Sequence, residues 1–343
     1  MRHALFASMT LAILGMAGGC GHRENAPAAG APGASVGPAA RKGTIGVSVL
    51  TLTNPFFKVI ADGITEEAGK HGYDVIVTSG EFDVARQGNQ VKDFIVRRVA
   101  AIVLCPCDSR SIGPAIGEAN AAGIPVFTAD IACLAPGVKV VSHVATDNYS
   151  GGQQAAEALF EALGEGGGKV VILDFKQAES CLQRVRGFKD VVAKRNGASP
   201  SGKIEIVAEL PGDGKKDQGY KCAEDALQAH PDLAGIFAIN DPSALGARAA
   251  LEKAGKADRV KIIGFDGQPE GLQAIDAGLI FADPVQSPDK IGRLTVETIV
   301  RYFAGEEVAP SQLIPTTLYR RGEKSGGPSP AEARSTPGGR PAP

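Results

Sequence analysis

From Thr44 to Arg321 the chain alternates between two hydrophobic patterns. Short β-branched runs are separated by stretches in which apolar residues recur at helical spacing. The first runs, Ile45–Leu50, Asp74–Thr78, Ala101–Leu104 and Pro125–Thr128, predict strands. Between them, Pro55–His71, Val84–Val96 and Ile112–Ala122 predict helices. Asn54 followed by Pro55 is a helix start, and Gly72 and Gly123 are stops. The pattern then restarts with helix Gly151–Leu163, strand Lys169–Leu173, helix Cys181–Arg195 and strand Ile204–Ala208. It continues with helix Asp217–His230, strand Gly235–Ile239, helix Ala244–Ala254 and strand Val260–Phe265. Strands this uniformly apolar suit parallel sheets covered on both faces. Two successive sets of such units predict an α/β protein of two doubly wound parallel-sheet lobes.

The two ends lack this pattern. Met1–Arg2–His3 is a charged start, Ala4–Met16 is mostly apolar, and Ala17–Gly18–Gly19–Cys20 is small and ends in cysteine. Residues 1–20 therefore read as a secretion signal. Its cysteine resembles a bacterial lipobox, although Ala17 stands where leucine is usual. That resemblance implies export and lipid attachment at Cys20, with the protein held in the periplasm or at the cell surface. Residues 21–42 read as a flexible Ala/Pro/Gly linker and 322–343 as a disordered tail. A net charge of −2 offers no basic surface for nucleic acid.

In doubly wound sheets ligands bind beyond the carboxyl ends of the strands. The segments there are Thr51–Phe57, Cys105–Ser109, Asp130–Cys133, Asp174–Arg184, Asn240–Asp241 and Asp266–Gln268. They supply Asn, Asp, Arg and Phe, which suit a ligand with hydroxyls on one side and an apolar face on the other. Catalysis is not indicated. The glycine-rich Gly164–Lys169 lacks the spacing of a phosphate loop and precedes a strand, and the histidines are scattered. No cofactor is called for, and no His/Cys spacing suggests a metal.

Several motifs resemble one family in order. They are Thr53–Asn54–Pro55–Phe56–Phe57, Val140–Asn148, Ala238–Asp241, Ala244–Gly246, Ile263–Gly267 and Gln286–Gly292. Together they are similar to the ribose-type, or type I, periplasmic sugar-binding proteins of ABC transporters. The resemblance covers Thr44–Tyr319. It implies two lobes joined by three crossings, residues 43–144 plus 287–315 forming the first and 145–286 plus 316–321 the second. It implies a monosaccharide or polyol enclosed between the lobes, handed to an ABC transporter permease by a monomeric protein that is not an enzyme. The alternative within the same family is presentation of the sugar to a chemoreceptor or kinase. A sugar-responsive repressor shares the fold, but a signal and linker stand where its DNA-binding helices belong.

Carried over by resemblance, the ligand-binding residues are Asn54, Phe56, Phe57, Asp130, Arg184, Asn240, Phe265, Asp266 and Gln286. Three departures weaken a plain ribose assignment. Ile131 follows Asp130 where ribose-type proteins have Arg, a second-lobe Phe is replaced near Gly214, and an early Ser is Leu50. One side of the pocket is therefore expected to be less polar. A related pentose, hexose, polyol or cyclitol fits as well as ribose. Cys133 and Cys181 both end strands facing the expected cleft, in different lobes, and are the candidate disulfide pair for an exported protein. Cys222 is expected to be a buried helical residue.

Overall fold

The computed structural model describes residues 41–322. The signal, Cys20, nearly all of the linker and all but the first residue of the tail lie outside the described residues. No described helix is long and apolar enough to cross a membrane.

The first half runs β1 (Gly43–Val49), α1 (Pro55–Lys70), β2 (Tyr73–Ser79), α2 (Val84–Val96), β3 (Ala101–Leu104), α3 (Gly113–Ala121), β4 (Val126–Ala129) and β5 (His143–Thr146). The second runs α4 (Asn148–Leu163), β6 (Gly168–Asp174), α5 (Glu179–Ala198), β7 (Ile204–Pro211), α6 (Lys216–Ala229), β8 (Leu233–Ala238), α7 (Asp241–Lys253), β9 (Lys261–Ile263), α8 (Pro269–Asp276) and β10 (Ala282–Val285). The chain ends with α9 (Pro288–Phe303), β11 (Ser311–Ile314) and β12 (Thr317–Arg320).

These strands form two six-stranded sheets, β11-β5-β4-β3-β1-β2 and β12-β10-β9-β8-β6-β7. The first is parallel throughout. The second departs at one edge, where β12 runs antiparallel to β10. An added edge strand needs no crossover helix, so this direction is open to it. Side chains in β1, β3 and β4 are buried on both faces, as covering helices require. A Cβ on Gly292 of α9 would run into the Ile60 carbonyl of α1, so α9 packs closely on α1 in the first lobe.

The chain therefore changes sheet after β5, after β10 and after β11. Because β5 keeps its place in the first sheet through Thr146, the first crossing follows residue 146 rather than 144. Asn54 caps α1 by accepting from the Phe56 N–H at 3.0 Å, and Asn240 caps α7 by accepting from Ser243 N–H at 3.1 Å. Glycine sets the spacing of α4 and α5. A Cβ on Gly152 would run into the Arg184 carbonyl, and one on Gly187 into the Tyr149 carbonyl. The two helices thus touch backbone to backbone, which brings Asn148 and Arg184 together at the cleft.

Candidate functional site

The carboxyl ends of both sheets face one another across a cavity of about 410 Å³ including its mouth. The first lobe contributes Leu50, Asn54, Phe56, Phe57, Phe82, Asp130 and Ile131. The second contributes Phe175, Ala178, Ser180, Cys181, Arg184, Gly214, Ile239, Asn240 and Asp266. The lobes also bond directly. The Ser109 N–H donates to the Gln177 carbonyl at 2.8 Å, and the Glu179 N–H to Ser109 Oγ at 2.9 Å. The arrangement is a closed one.

Arg184 is the centre of the second lobe's wall. It is 3% exposed. Its Nη1 donates to the Ile239 carbonyl at 2.6 Å and to Asp266 Oδ1 at 3.2 Å, and its Nε donates to Asn148 Oδ1 at 2.8 Å. The guanidinium carbon lies 3.9 Å from the centre of the Phe265 ring. Among the described residues no group bonds Nη2, which leaves a fixed donor for a ligand oxygen. Asp266 also accepts from Gln286 Nε2 at 2.6 Å and Gln268 Nε2 at 3.1 Å. Burial raises its pKa, against the pull of Arg184 and the two amides.

Asp130 is built differently. It sits at the end of β4, 3% exposed, and its Oδ1 has no hydrogen-bond partner. Burial pushes its pKa up to about 7, with Arg184 opposing and Asp266 adding to the rise. A buried acceptor without a partner is costly unless a ligand supplies one. Both cavity carboxylates have positive φ, 63° at Asp130 and 106° at Asp266. Strained backbone of this kind concentrates at binding sites.

Phe56 and Phe57 pack edge to face, ring centres 5.4 Å apart, and both reach the cavity. Asn54 reaches it beside its capping role. Asn240 lines the cavity too, but its amide already caps α7 and donates to the Gly214 carbonyl at 3.0 Å.

Two expected contacts lie one layer back. Phe265 is fully buried beneath Arg184 and does not line the cavity. Gln286 is also absent from the lining. It accepts from Thr146 Oγ1 at 2.5 Å while donating to Asp266, and so ties two crossings to a cavity carboxylate. The expected bridge is a further correction: Cys133 and Cys181 are both free thiols. Cys181 faces the cavity, whereas Cys133 packs on a separate cluster with Ile112 and Ile116. Cys222 is buried on α6. Among the described residues no cluster of three His, Cys, Asp or Glu is placed to hold a metal.

Phe175 lay inside the expected segment Asp174–Arg184 and Asn148 inside the motif Val140–Asn148 without being singled out, and Phe82 lay outside every expected segment. Phe82 follows β2, a strand end left out of the expected binding segments. Asn148 touches the cavity only through Arg184.

The buried acids set a pH dependence. Asp130 and Asp283 have pKa values raised to about 7, so the folded state holds protons that the unfolded chain releases. Their contribution to stability is complete below the ordinary carboxylate range and is lost as pH rises through 7. His143, lowered by burial to about 4, has the opposite effect, but only below its ordinary value of 6.5. The ligand-free protein should therefore melt at a lower temperature at pH 8.5 than at pH 6.5, and the slope should be shallower in Asp130→Asn. A flat profile across that window would show that neither acid gains a proton on folding.

Comparison with known proteins agrees with the geometry. The family described as periplasmic binding protein domain matches residues 45–307. The ribose import binding protein of Escherichia coli strain K12 is 38% identical over 267 residues, covering 78% of this chain and 87% of that one. An ABC transporter solute-binding protein of Actinobacillus succinogenes, solved with bound D-allose, superposes with a TM-score of 0.74 at 29% identity, covering 82% of this chain and 98% of the other. One from Agrobacterium vitis, bound to alpha-D-tagatopyranose, gives 0.77 at 26% identity over 85% and 98%.

Proposed function

The chain belongs to the periplasmic binding protein family, and from that premise we propose that it encloses one monosaccharide or polyol outside the cytoplasm and delivers it to an ABC transporter permease. It is a transport binding protein and not an enzyme. The observation that carries the sugar reading is the unpartnered Oδ1 of Asp130, which lines one inter-lobe cavity with Arg184, Asp266 and the phenylalanine pair. Hydroxyls would complete Asp130 and Arg184 Nη2, and Phe56 or Phe57 would cover the C–H face of the ring.

Ligands of the relatives span a pentose, an aldohexose and a ketohexose. Here Leu50 and Ile131 make one wall apolar, which favours a ligand with a deoxy, methyl or C–H edge on that side over ribose. The lobes would open about the crossings after Thr146, Gln286 and Ile314, and the closed form would be what the permease recognises. The protein would act as a monomer, held to its membrane by lipid on Cys20.

Thermal unfolding of the full chain against pentoses, hexoses, 6-deoxyhexoses, polyols and inositols tests the reading. A dye must report unfolding, since the chain has no Trp. A true ligand at a hundred times its Kd should stabilise the fold by about 2.7 kcal/mol. No shift with any member of the panel would sink sugar capture.

A further inference from the structure

Resting on that sugar reading, we propose that Phe82 is a specificity-determining residue: its ring latches the lobes shut and walls the sugar cavity off from a second chamber, so that the ligand is a single ring without a bulky substituent on that side. The chamber lies outside the cavity and is itself partly open, about 1,350 Å³ with its solvent mouth included. Three residues line both spaces: Asn54, Phe82 and Gly214. Gly214 has no side chain, and the Asn54 carbonyl is held by its helix cap. Phe82 is thus the one large group in the partition. Without it, cavity and chamber would join.

The ring comes from the first lobe but rests on the second. Its centre is 6.0 Å from that of Phe175, edge to face at 67°, and the Lys215 ammonium lies 4.3 Å from it. Phe175 follows β6 and Lys215 precedes α6, so both contacts form only when the lobes are closed.

The backbone is held in an unfavourable shape to place the ring there. Glu81 and Phe82 have φ of 52° and 59°, a region that a bulky residue rarely adopts. Local bonds fix it. The Phe82 N–H donates to the Leu50 carbonyl at 3.2 Å, the Asp83 N–H to the Gly80 carbonyl at 3.0 Å, and Glu81 accepts from Thr51 Oγ1 at 3.2 Å and from Ser79 Oγ. A glycine would take this conformation without strain. Phenylalanine there sacrifices local stability for a contact made elsewhere, the mark of a functional position.

Phe82→Gly separates the two roles, because it relaxes the loop and removes the ring. Phe82→Tyr keeps the ring. Calorimetry and stopped-flow on the full chain would use the best monosaccharide of the panel, its methyl glycosides and its disaccharides. In Phe82→Gly the monosaccharide should bind about tenfold more weakly, through faster release, since an aromatic pair and a cation–π contact are lost. The variant should also bind substituted sugars that the wild type rejects. Its ligand-free melting temperature should be unchanged or higher, which a merely structural ring would not allow. Phe82→Tyr should behave as wild type. A separate readout needs no sugar: by small-angle scattering, ligand-free Phe82→Gly should have a radius of gyration equal to or above that of the wild type, and never below it.

The outcomes are distinct. No sugar bound by the wild type defeats the sugar reading, and the latch with it as a sugar selector. Sugar bound by the wild type, with affinity, release rate and selectivity all unchanged in Phe82→Gly, defeats the latch alone. A more compact ligand-free variant also defeats it.

Discussion

Replacing Arg184 by alanine is expected to cost about 3–5 kcal/mol of fold stability, because it breaks a buried ion pair from one side. Arg184 and Asp266 are each about 4% exposed at the side chain and 3.2 Å apart. Without the guanidinium, the Ile239 carbonyl and Asn148 Oδ1 also lose their donor. Phe265 loses the cation stacked on it. Sugar binding should fall below detection, since the same change removes the free Nη2. The stability deficit should shrink at lower pH. Burial already raises the Asp266 pKa, and with its cation gone the carboxyl is neutralised more readily. Arg184→Lys should recover part of the stability but little of the binding, because one ammonium cannot serve Asp266, Ile239 and a sugar in the fork geometry of the arginine. Far-UV circular dichroism in urea at pH 5.5 and 8 measures the first effect, and calorimetry the second. An Arg184→Ala protein that binds sugar within threefold of the wild type would remove Arg184 from the site.

Much of this arrangement could be read before any coordinates. The strand–helix alternation gave both sheets, because parallel strands buried on two faces need uninterrupted apolar runs. The Asn54–Pro55 start and the turn-ending glycines marked boundaries by local backbone chemistry. The family resemblance pointed to Asn54, Phe56, Phe57, Asp130, Arg184, Asn240 and Asp266, and these line one cavity. What could not be read depended on contacts between distant segments. Nothing local says that Phe265 lies under Arg184 rather than beside it, or that Gln286 spends its amide on Asp266 and Thr146. Strand-end position in an exported protein suggested a Cys133–Cys181 bridge, but Cys133 packs against another cluster. The antiparallel β12 is only four residues long, too short to carry a periodic signal. Phe82 was hidden for a different reason. A phenylalanine after a strand reads as core, and only its positive φ shows that the chain is held to present it across the cleft.

Asp130→Asn is expected to move stability and binding in opposite directions. In the ligand-free protein Asp130 is fully enclosed with Oδ1 unpartnered, and leaving such a group unsatisfied costs about 1–3 kcal/mol. Asparagine keeps the shape but carries no charge to desolvate. The ligand-free variant should therefore be more stable than the wild type at pH 8 by about 1 kcal/mol, the lower end of that range. Sugar binding should weaken about 10²–10³-fold, since two hydroxyl bonds to a charged acceptor are worth about 1.5–3 kcal/mol each and an amide retains only part of that. pH separates this account from a simple loss of shape. With its pKa raised to about 7 in the ligand-free protein, Asp130 must release a proton to accept two hydroxyls. Wild-type affinity should then weaken below pH 7, by up to about tenfold per pH unit, whereas that of Asp130→Asn should stay flat. Calorimetry from pH 5 to 8.5 in buffers of differing ionisation enthalpy would count the released proton directly. Equal pH profiles for the two proteins would mean that Asp130 is not the group the sugar completes. A variant less stable than the wild type would mean that the carboxylate has a structural partner.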